Sequence, residues 1–404
     1  TLTAITYLDR ICISAAAPYM MADLGITALQ MSVVFSAFTL SYSLFEVPSG
    51  WLGDVRGPRR VLTRIVLWWS AFTMLTGAVQ GFRSLVAVRF LFGAGEAGAF
   101  PNMARSLSQW FPLQERGRAN GTMLLGSRAG GMVSVPLALM VISWWGWRWS
   151  FVVFGLVGVV WAVAWQAWYR DRPEDHPSIT PEEVAWIRQD RHAPAAPPAT
   201  PWRALFRSRN LYAICAMYFA FGYGLYFYFT WLPTYLIKVL GFSTFAGGLF
   251  AALPFLLAGI ADVAGGWLTD RLSRRFGLRV GRCYLGFGAF MLCASLVFGS
   301  TLAAGAVTKA VLLALALASA DLALSAAWAA PLDIAPQHAG VMTGWMNTLG
   351  NLGGLFGPLV VGYAVDRWHS WTIPFYIASA IYAFGALAWL LVDPETPLVA
   401  ENPR

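Results

Sequence analysis

Charge is the scarcest property of this 404-residue sequence: only 12% of its residues are Asp, Glu, Lys or Arg, against 58% that are hydrophobic. A water-soluble domain carries about 25% charged residues, so that class is excluded, and a mean hydropathy of +0.57 points to a chain that crosses the bilayer many times. Lysine is nearly missing, with Lys238 and Lys309 its only examples, so the net charge of +8 is almost wholly arginine. We read that arginine as a topology signal and not as a nucleic-acid footprint. Histidine is restricted to His176, His192, His338 and His369, all between apolar stretches, which leaves carboxylates as the proton carriers available inside the membrane. The four cysteines (Cys12, Cys215, Cys283 and Cys293) lie within apolar stretches at no metal-ligand spacing and read as packing residues, with neither disulfide nor metal role. No nucleotide-binding loop is present and no cofactor is implied. No cleavable signal peptide is visible, and the first stretch is apolar from its first residue, so its helix is expected to begin before Thr1.

Twelve apolar stretches are each long enough to cross a core of about 30 Å. They fall near 1–20, 31–53, 61–80, 84–108, 119–143, 150–169, 211–237, 244–268, 282–301, 307–331, 339–364 and 372–392. The fold class expected is therefore all-α membrane, with an N-terminal six-helix bundle at 1–169, a linker at 170–209, a second six-helix bundle at 210–393 and a tail at 394–404. The proline-rich linker contains Thr180-Pro181-Glu182-Glu183, a helix-start pattern that predicts a short surface helix to about Arg191.

Arginine collects after the even spans: Arg56, Arg59, Arg60 and Arg64; Arg116 and Arg118; seven in the linker; and Arg271, Arg274, Arg275, Arg279 and Arg282. Loops after odd spans hold isolated cations such as Arg83, Arg148, Lys238, Lys309 and Arg367. The positive-inside rule then puts even-numbered span ends and both termini in the cytoplasm.

The two halves repeat. Gly50-Trp51-Leu52-Gly53-Asp54 and its basic run match Gly266-Trp267-Leu268-Thr269-Asp270 at an offset of 216 residues, and Gly126, Gly130, Gly131 and Pro136 match Gly350, Gly353, Gly354 and Pro358. Such repeats mark carriers whose halves surround a central site. An Asp at a helix end with arginines in the following turn forms a charge cluster able to latch one conformation, or serves topology alone; Asp54, Arg56, Arg60, Asp270 and Arg271 are the residues concerned. Glu46 and Asp262 each lie eight residues before the loop Asp, and this symmetry assigns them partly to gating.

The doubled loop signature resembles the major facilitator superfamily. Tyr7-Leu8-Asp9-Arg10, Gly95-Glu96-Ala97-Gly98-Ala99-Phe100-Pro101-Asn102 and Trp231-Leu232-Pro233-Thr234-Tyr235-Leu236 narrow the likeness to its anion:cation symporter family, which includes proton-coupled carriers of sugar acids and aromatic acids in bacteria and is similar to the vesicular glutamate and sialic acid transporters of animals. The resemblance implies proton uptake at Asp9 and Glu96, substrate carboxylate binding at Arg10, a partner arginine at Arg89, a substrate tyrosine at Tyr42 and a substrate asparagine at Asn347. It implies a monomer in a bacterial inner membrane whose partners are a small organic anion, protons and lipid, with no nucleic acid and no enzymatic activity.

The residues themselves bear on those roles. Adjacent charges such as Asp9 and Arg10 do not face each other on a helix, so they should look to different partners. Each costs roughly 2.5–3.5 kcal/mol at a bilayer centre and needs a wet cavity or a buried partner. Arg89 and Glu96, seven residues apart, share a helix face about 10 Å apart along the axis, leaving room for Asp9 to pair with Arg89 when charged. A static ion-pair network is the structural alternative. Arg128, beside Ser127 in span five, either meets a second acidic group of the substrate or neutralises Asp262 of span eight. Asp321 and Asn351 read as helix-to-helix contacts. Tyr223 and Tyr226 are the span-seven aromatics expected at the substrate.

Overall fold

Glycine and proline set where the helices of this chain stop. A computed structural model of the protein describes residues 1–112, 115–188, 202–335 and 338–396, without the side chains of residues 47, 54, 117 and 120, and holds helices but no strand among them. The first helix, α1 (Leu2–Leu24), ends at Gly25, whose φ of 62° lets its N–H turn back onto Met21 O. A capping box opens α2 (Ala28–Arg56), with Gln30 N donating to Thr27 Oγ1 at 3.2 Å and Thr27 N to Gln30 Oε1 at 3.0 Å. Gly57, at φ 80°, ends it, and Pro58 begins α3 (Pro58–Thr76) in the position where its missing N–H costs nothing.

The first compact unit, Thr1–Ala195, continues through α4 (Phe82–Glu96), α5 (Ala99–Trp110), α6 (Arg116–Trp145), α7 (Trp147–Trp168) and α8 (Pro181–Arg188). The second, Ala196–Arg404, holds α9 (Trp202–Arg207), α10 (Arg209–Thr230), α11 (Leu232–Thr234), α12 (Thr244–Phe276), α13 (Leu285–Leu302), α14 (Ala306–Leu322), α15 (Leu324–Ile334), α16 (Ala339–Trp368) and α17 (Thr372–Leu391). Helices α4 and α5 form one broken span, as do α10 with α11 and α14 with α15, which gives twelve spans, six in each unit. Nine helices among the described residues are long and apolar enough to cross a membrane on composition alone. The other spans are α1, which carries Asp9 and Arg10, α3, which opens with Arg59, Arg60 and Arg64, and the interrupted α4–α5. Residues 189–201 and 397–404, where the expected linker helix ends and the tail lies, fall outside the described residues.

Packing repeats between the units. In the first, the main helix pairs are α1 with α6, α2 with α4 and α3 with α7; in the second, they are α10 with α16, α12 with α14 and α13 with α17. Small residues permit the closest of these approaches, because in lipid helices associate through close packing and not through the hydrophobic effect. A Cβ on Gly130 of α6 would stand 2.6 Å from Ala4 Cα of α1, and one on Gly353 of α16 would stand 2.7 Å from Tyr223 N of α10. The glycines that the two halves share are thus the contact faces of repeat-related helix pairs.

Candidate functional site

The site is assembled where α4 breaks. Glu96 is the last residue of α4; Ala97 leaves helical geometry (φ −54°, ψ 137°) and Gly98 takes φ 84° before α5 begins. Only glycine suits Gly98, since its φ is left-handed and a Cβ there would come within 3.2 Å of Gly50 N in α2. Asn102 staples the break, its Nδ2 donating to Gly98 O at 2.7 Å and to Ser49 O at 3.2 Å. The span-four motif is therefore a device that ends a helix on a buried carboxyl.

Arg10 of α1 meets that carboxyl. Its Nε donates to Glu96 Oε1 at 3.0 Å and its Nη2 donates to the same oxygen, while Glu96 Oε2 is buried and bonded to nothing. Three rings surround the guanidinium, with centroids 5.5 Å (Tyr7), 5.1 Å (Phe38) and 4.9 Å (Tyr42) from Cζ. These distances are within reach of cation–π attraction. Tyr42, on α2, is buried. Asp9 turns the other way, as the one-residue spacing requires, into the core. It is 1% exposed, with the buried indole N–H of Trp69 beside it.

The group bonded to Glu96 is Arg10, while Asp9 acts electrostatically on both Glu96 and Arg89. Arg89 lies 2% exposed with its guanidinium 4.1 Å from the Phe92 centroid and 5.4 Å from that of Phe38, and its Nε and Nη1 make no hydrogen bond; Asp9 acts on it electrostatically without a bond. Glu46, read from repeat symmetry as partly a gating residue, lies on the Tyr42 side of α2, in electrostatic reach of Arg10.

Ser127 in α6 is buried with an unbonded hydroxyl and Arg128 beside it is half-buried. In the second unit, Asn347 and Tyr226 are half-buried, and Tyr226 lies against Gly354. Tyr223 is packed into the bundle rather than presenting its hydroxyl openly: it is buried against α16 and lines an enclosed cavity of about 20 Å³ with Tyr228 and Tyr382. Asp321 of α14 is fully buried, Asp262 O of α12 accepts from Ser325 Oγ at 3.3 Å, and all four cysteines are buried and free.

At the loops, the partners differ from those the run of arginines suggested. Arg271 lies over the Trp267 ring at 5.0 Å, and it is Arg282 that takes the acids, with Nε to Asp333 Oδ2 at 2.9 Å and Nη1 to Asp270 Oδ1 at 3.6 Å. Thr269 Oγ1 also accepts from Arg282 Nη1 at 2.9 Å. In the first unit, Asp171 Oδ1 accepts from Arg59 N at 2.8 Å, capping α3; Arg56 and Arg60 are exposed, and the Asp54 side chain is outside the described set. Arg148, read as an isolated cation, pairs with Asp23 and so ties the end of α1 to α7. Asp333 and Asp171 were missed because each lies far in sequence from the run it serves.

Two units of six spans each, with the same order of helix pairing, describe a known architecture. The sequence model of the Major Facilitator Superfamily matches residues 1–358. The chain belongs to this superfamily. It is similar to the probable sulfoacetate transporter of Cupriavidus necator, with 38% identity over 96% of this chain and 91% of the other, and to the D-galactonate transporter of Escherichia coli, with 32% identity over 96% and 92%. The hexuronate transporter of Bacillus subtilis is 28% identical over 99% of this chain and 95% of its own. Among solved structures, a bacterial homologue of the human lysosomal transporter Spinster superposes with a TM-score of 0.75 at 15% identity, covering 96% of this chain and 92% of that one, and shares the fold. This superfamily member is an integral membrane transporter and not an enzyme.

Proposed function

We propose that the protein is a secondary active transporter that carries a small organic anion inward together with protons, by alternating access, in a bacterial inner membrane with both termini cytoplasmic. The observation that carries this reading is Arg10, held through two nitrogens by one oxygen of Glu96 within a ring of three aromatics. A guanidinium so placed is a fork suited to a carboxylate or sulfonate, and Glu96 occupies it. Protonation of Glu96 at its bare Oε2 weakens its hold and frees the fork for the substrate. Asp9, only 1% exposed, is costly as an anion and stable as an acid, which suits it to carry a proton, with Arg89 as the nearby positive charge. Tyr42 lines the fork, and Ser127, Arg128, Tyr226 and Asn347 are the further substrate contacts we assign. Arg128 would serve a second acidic group.

The relatives' substrates, sulfoacetate and sugar acids, support a short, hydroxylated or doubly acidic anion as cargo. The test is uptake of radiolabelled sulfoacetate and galactonate into proteoliposomes with and without an imposed inward proton gradient. Accumulation that follows the gradient supports the proposal. Exchange that ignores the gradient overturns proton coupling and leaves an anion exchanger.

A further inference from the structure

Glu46 is a carboxylate that the mechanism above leaves unused, and its position gives it a role. It lies on α2 four residues after Tyr42, one helical turn, so the two share a face. Tyr42 is the ring nearest Arg10, at 4.9 Å, and Glu46 acts electrostatically on both Tyr42 and Arg10. It is half-buried. The surroundings are specific. From α1 the charge acting on it is Arg10; from α4, Glu96 is bound to that same guanidinium, with Arg89 deeper in the core. Helix α5 meets α2 through the neutral amide of Asn102 at Ser49 O, and no charged side chain of α3 or α5 acts on Glu46 among the described residues.

Charge counting shows why this matters. Around the Arg10 and Arg89 guanidiniums stand three carboxyls, Asp9, Glu46 and Glu96. A substrate anion adds another negative group to Arg10, and it does so against Glu46 even after Glu96 has released the fork.

We propose that Glu46 is a further proton-accepting carboxylate of the transport site: it balances Arg10 while the site is empty and takes up a proton as the anion lands, adding one proton to each transport cycle. This rests on the proton-coupled reading above. The chemistry is a single transfer, in which an O–H bond forms on the Glu46 carboxyl from solvent on the loading side and breaks to solvent on the release side. The fourth residue after the substrate tyrosine then sets stoichiometry as well as selectivity, because an un-neutralised Glu46 repels a second acidic group on the cargo.

The experiment uses the full chain in proteoliposomes, with sulfoacetate and galactonate as probes. Zero-flux potentials give the number of protons per anion, and counterflow gives KM between pH 5.5 and 8.5. Glu46→Gln is expected to lower the proton number by one and to flatten the rise of KM with pH, whereas Glu46→Asp, which keeps a titrating group, retains the wild-type number. If Glu46→Gln fails to fold by thermal melting, Glu46→Ala repeats the measurement at this half-buried position. A wild-type proton number and pH profile in the Gln or Ala variant overturns the inference while the proton-coupled reading stands. A wild type that accumulates neither acid under a proton gradient overturns that parent reading, and this inference with it.

Discussion

Arg10 and Glu96 are joined through a single carboxylate oxygen, Oε1, although the backbones of α1 and α4 pack chiefly against other helices. Oε2 is left buried and unbonded. The pair is thus a bridge across a gap between two helix pairs, and it has one vacant protonation position already built in. A bridge of this kind can be opened without repacking the core on either side.

Glu96→Gln keeps the shape and removes the proton. Accumulation against a gradient should fall to the level seen without one, while counterflow exchange of substrate persists in part. Asp9→Asn should behave in the same way, with a lower melting temperature because the buried Arg89 loses a nearby negative charge. Full gradient-driven accumulation by the Glu96 variant would remove it from the coupling mechanism.

Arg10→Lys keeps the charge and loses the fork. One charge-assisted hydrogen bond contributes about 1.5–3 kcal/mol, so substrate affinity should weaken roughly 10- to 100-fold while the melting temperature shows that the protein still folds. Unchanged affinity in a thermal-shift titration would show that the anion is held elsewhere.

Gly98 and Gly25 both adopt left-handed φ, at 84° and 62°, but only Gly98 has neighbours where a Cβ would go. Gly25→Ala should cost about 1–2 kcal/mol, the conformational penalty alone. Gly98→Ala adds a clash with α2 and shifts the residue two positions after Glu96, so it should be less stable and should also lose proton-driven uptake. Equal melting shifts and intact uptake in both would mean that the break does not position Glu96.

The architecture was legible in the sequence because its signals are local: apolar runs, arginine-rich turns and a repeat that recurs at fixed offsets. So was the separation of Asp9 from Arg10, which helix geometry alone requires. What was not legible is which of several carboxyls Arg10 meets. The seven-residue spacing of Arg89 and Glu96 pointed to Asp9, which acts electrostatically on both, but not to the bond that Glu96, at the end of α4, makes with the arginine of α1. Repeat symmetry likewise fixes the height of Glu46 along α2, whereas its face is set by how α2 packs on α4. Partners such as Asp333 and Asp171 come from another span and have no neighbouring signal.

The Arg282 cluster tests how such a loop latch is weighted. Its side chain is only 10% exposed, and its two acids differ sharply, Asp333 being 21% exposed and Asp270 66%. Breaking a buried pair costs about 3–5 kcal/mol and an exposed pair contributes about 0–1 kcal/mol. Asp333→Asn should therefore destabilise by roughly 2 kcal/mol, below the fully buried range because water still reaches that carboxylate, whereas Asp270→Asn should cost less than about 1 kcal/mol. Since Asp333 belongs to α15 and Arg282 precedes α13, the stronger pair adds a side-chain tie between two segments that both pack on α12. If Arg282 is a latch, the double variant Arg282→Gln with Asp333→Asn should regain most of the lost stability yet change the exchange rate. Equal melting shifts for the two single variants would show that the arginine does not discriminate between its acids, and an unchanged exchange rate in the double variant would make the cluster a fastening of the bundle and no part of the transport cycle.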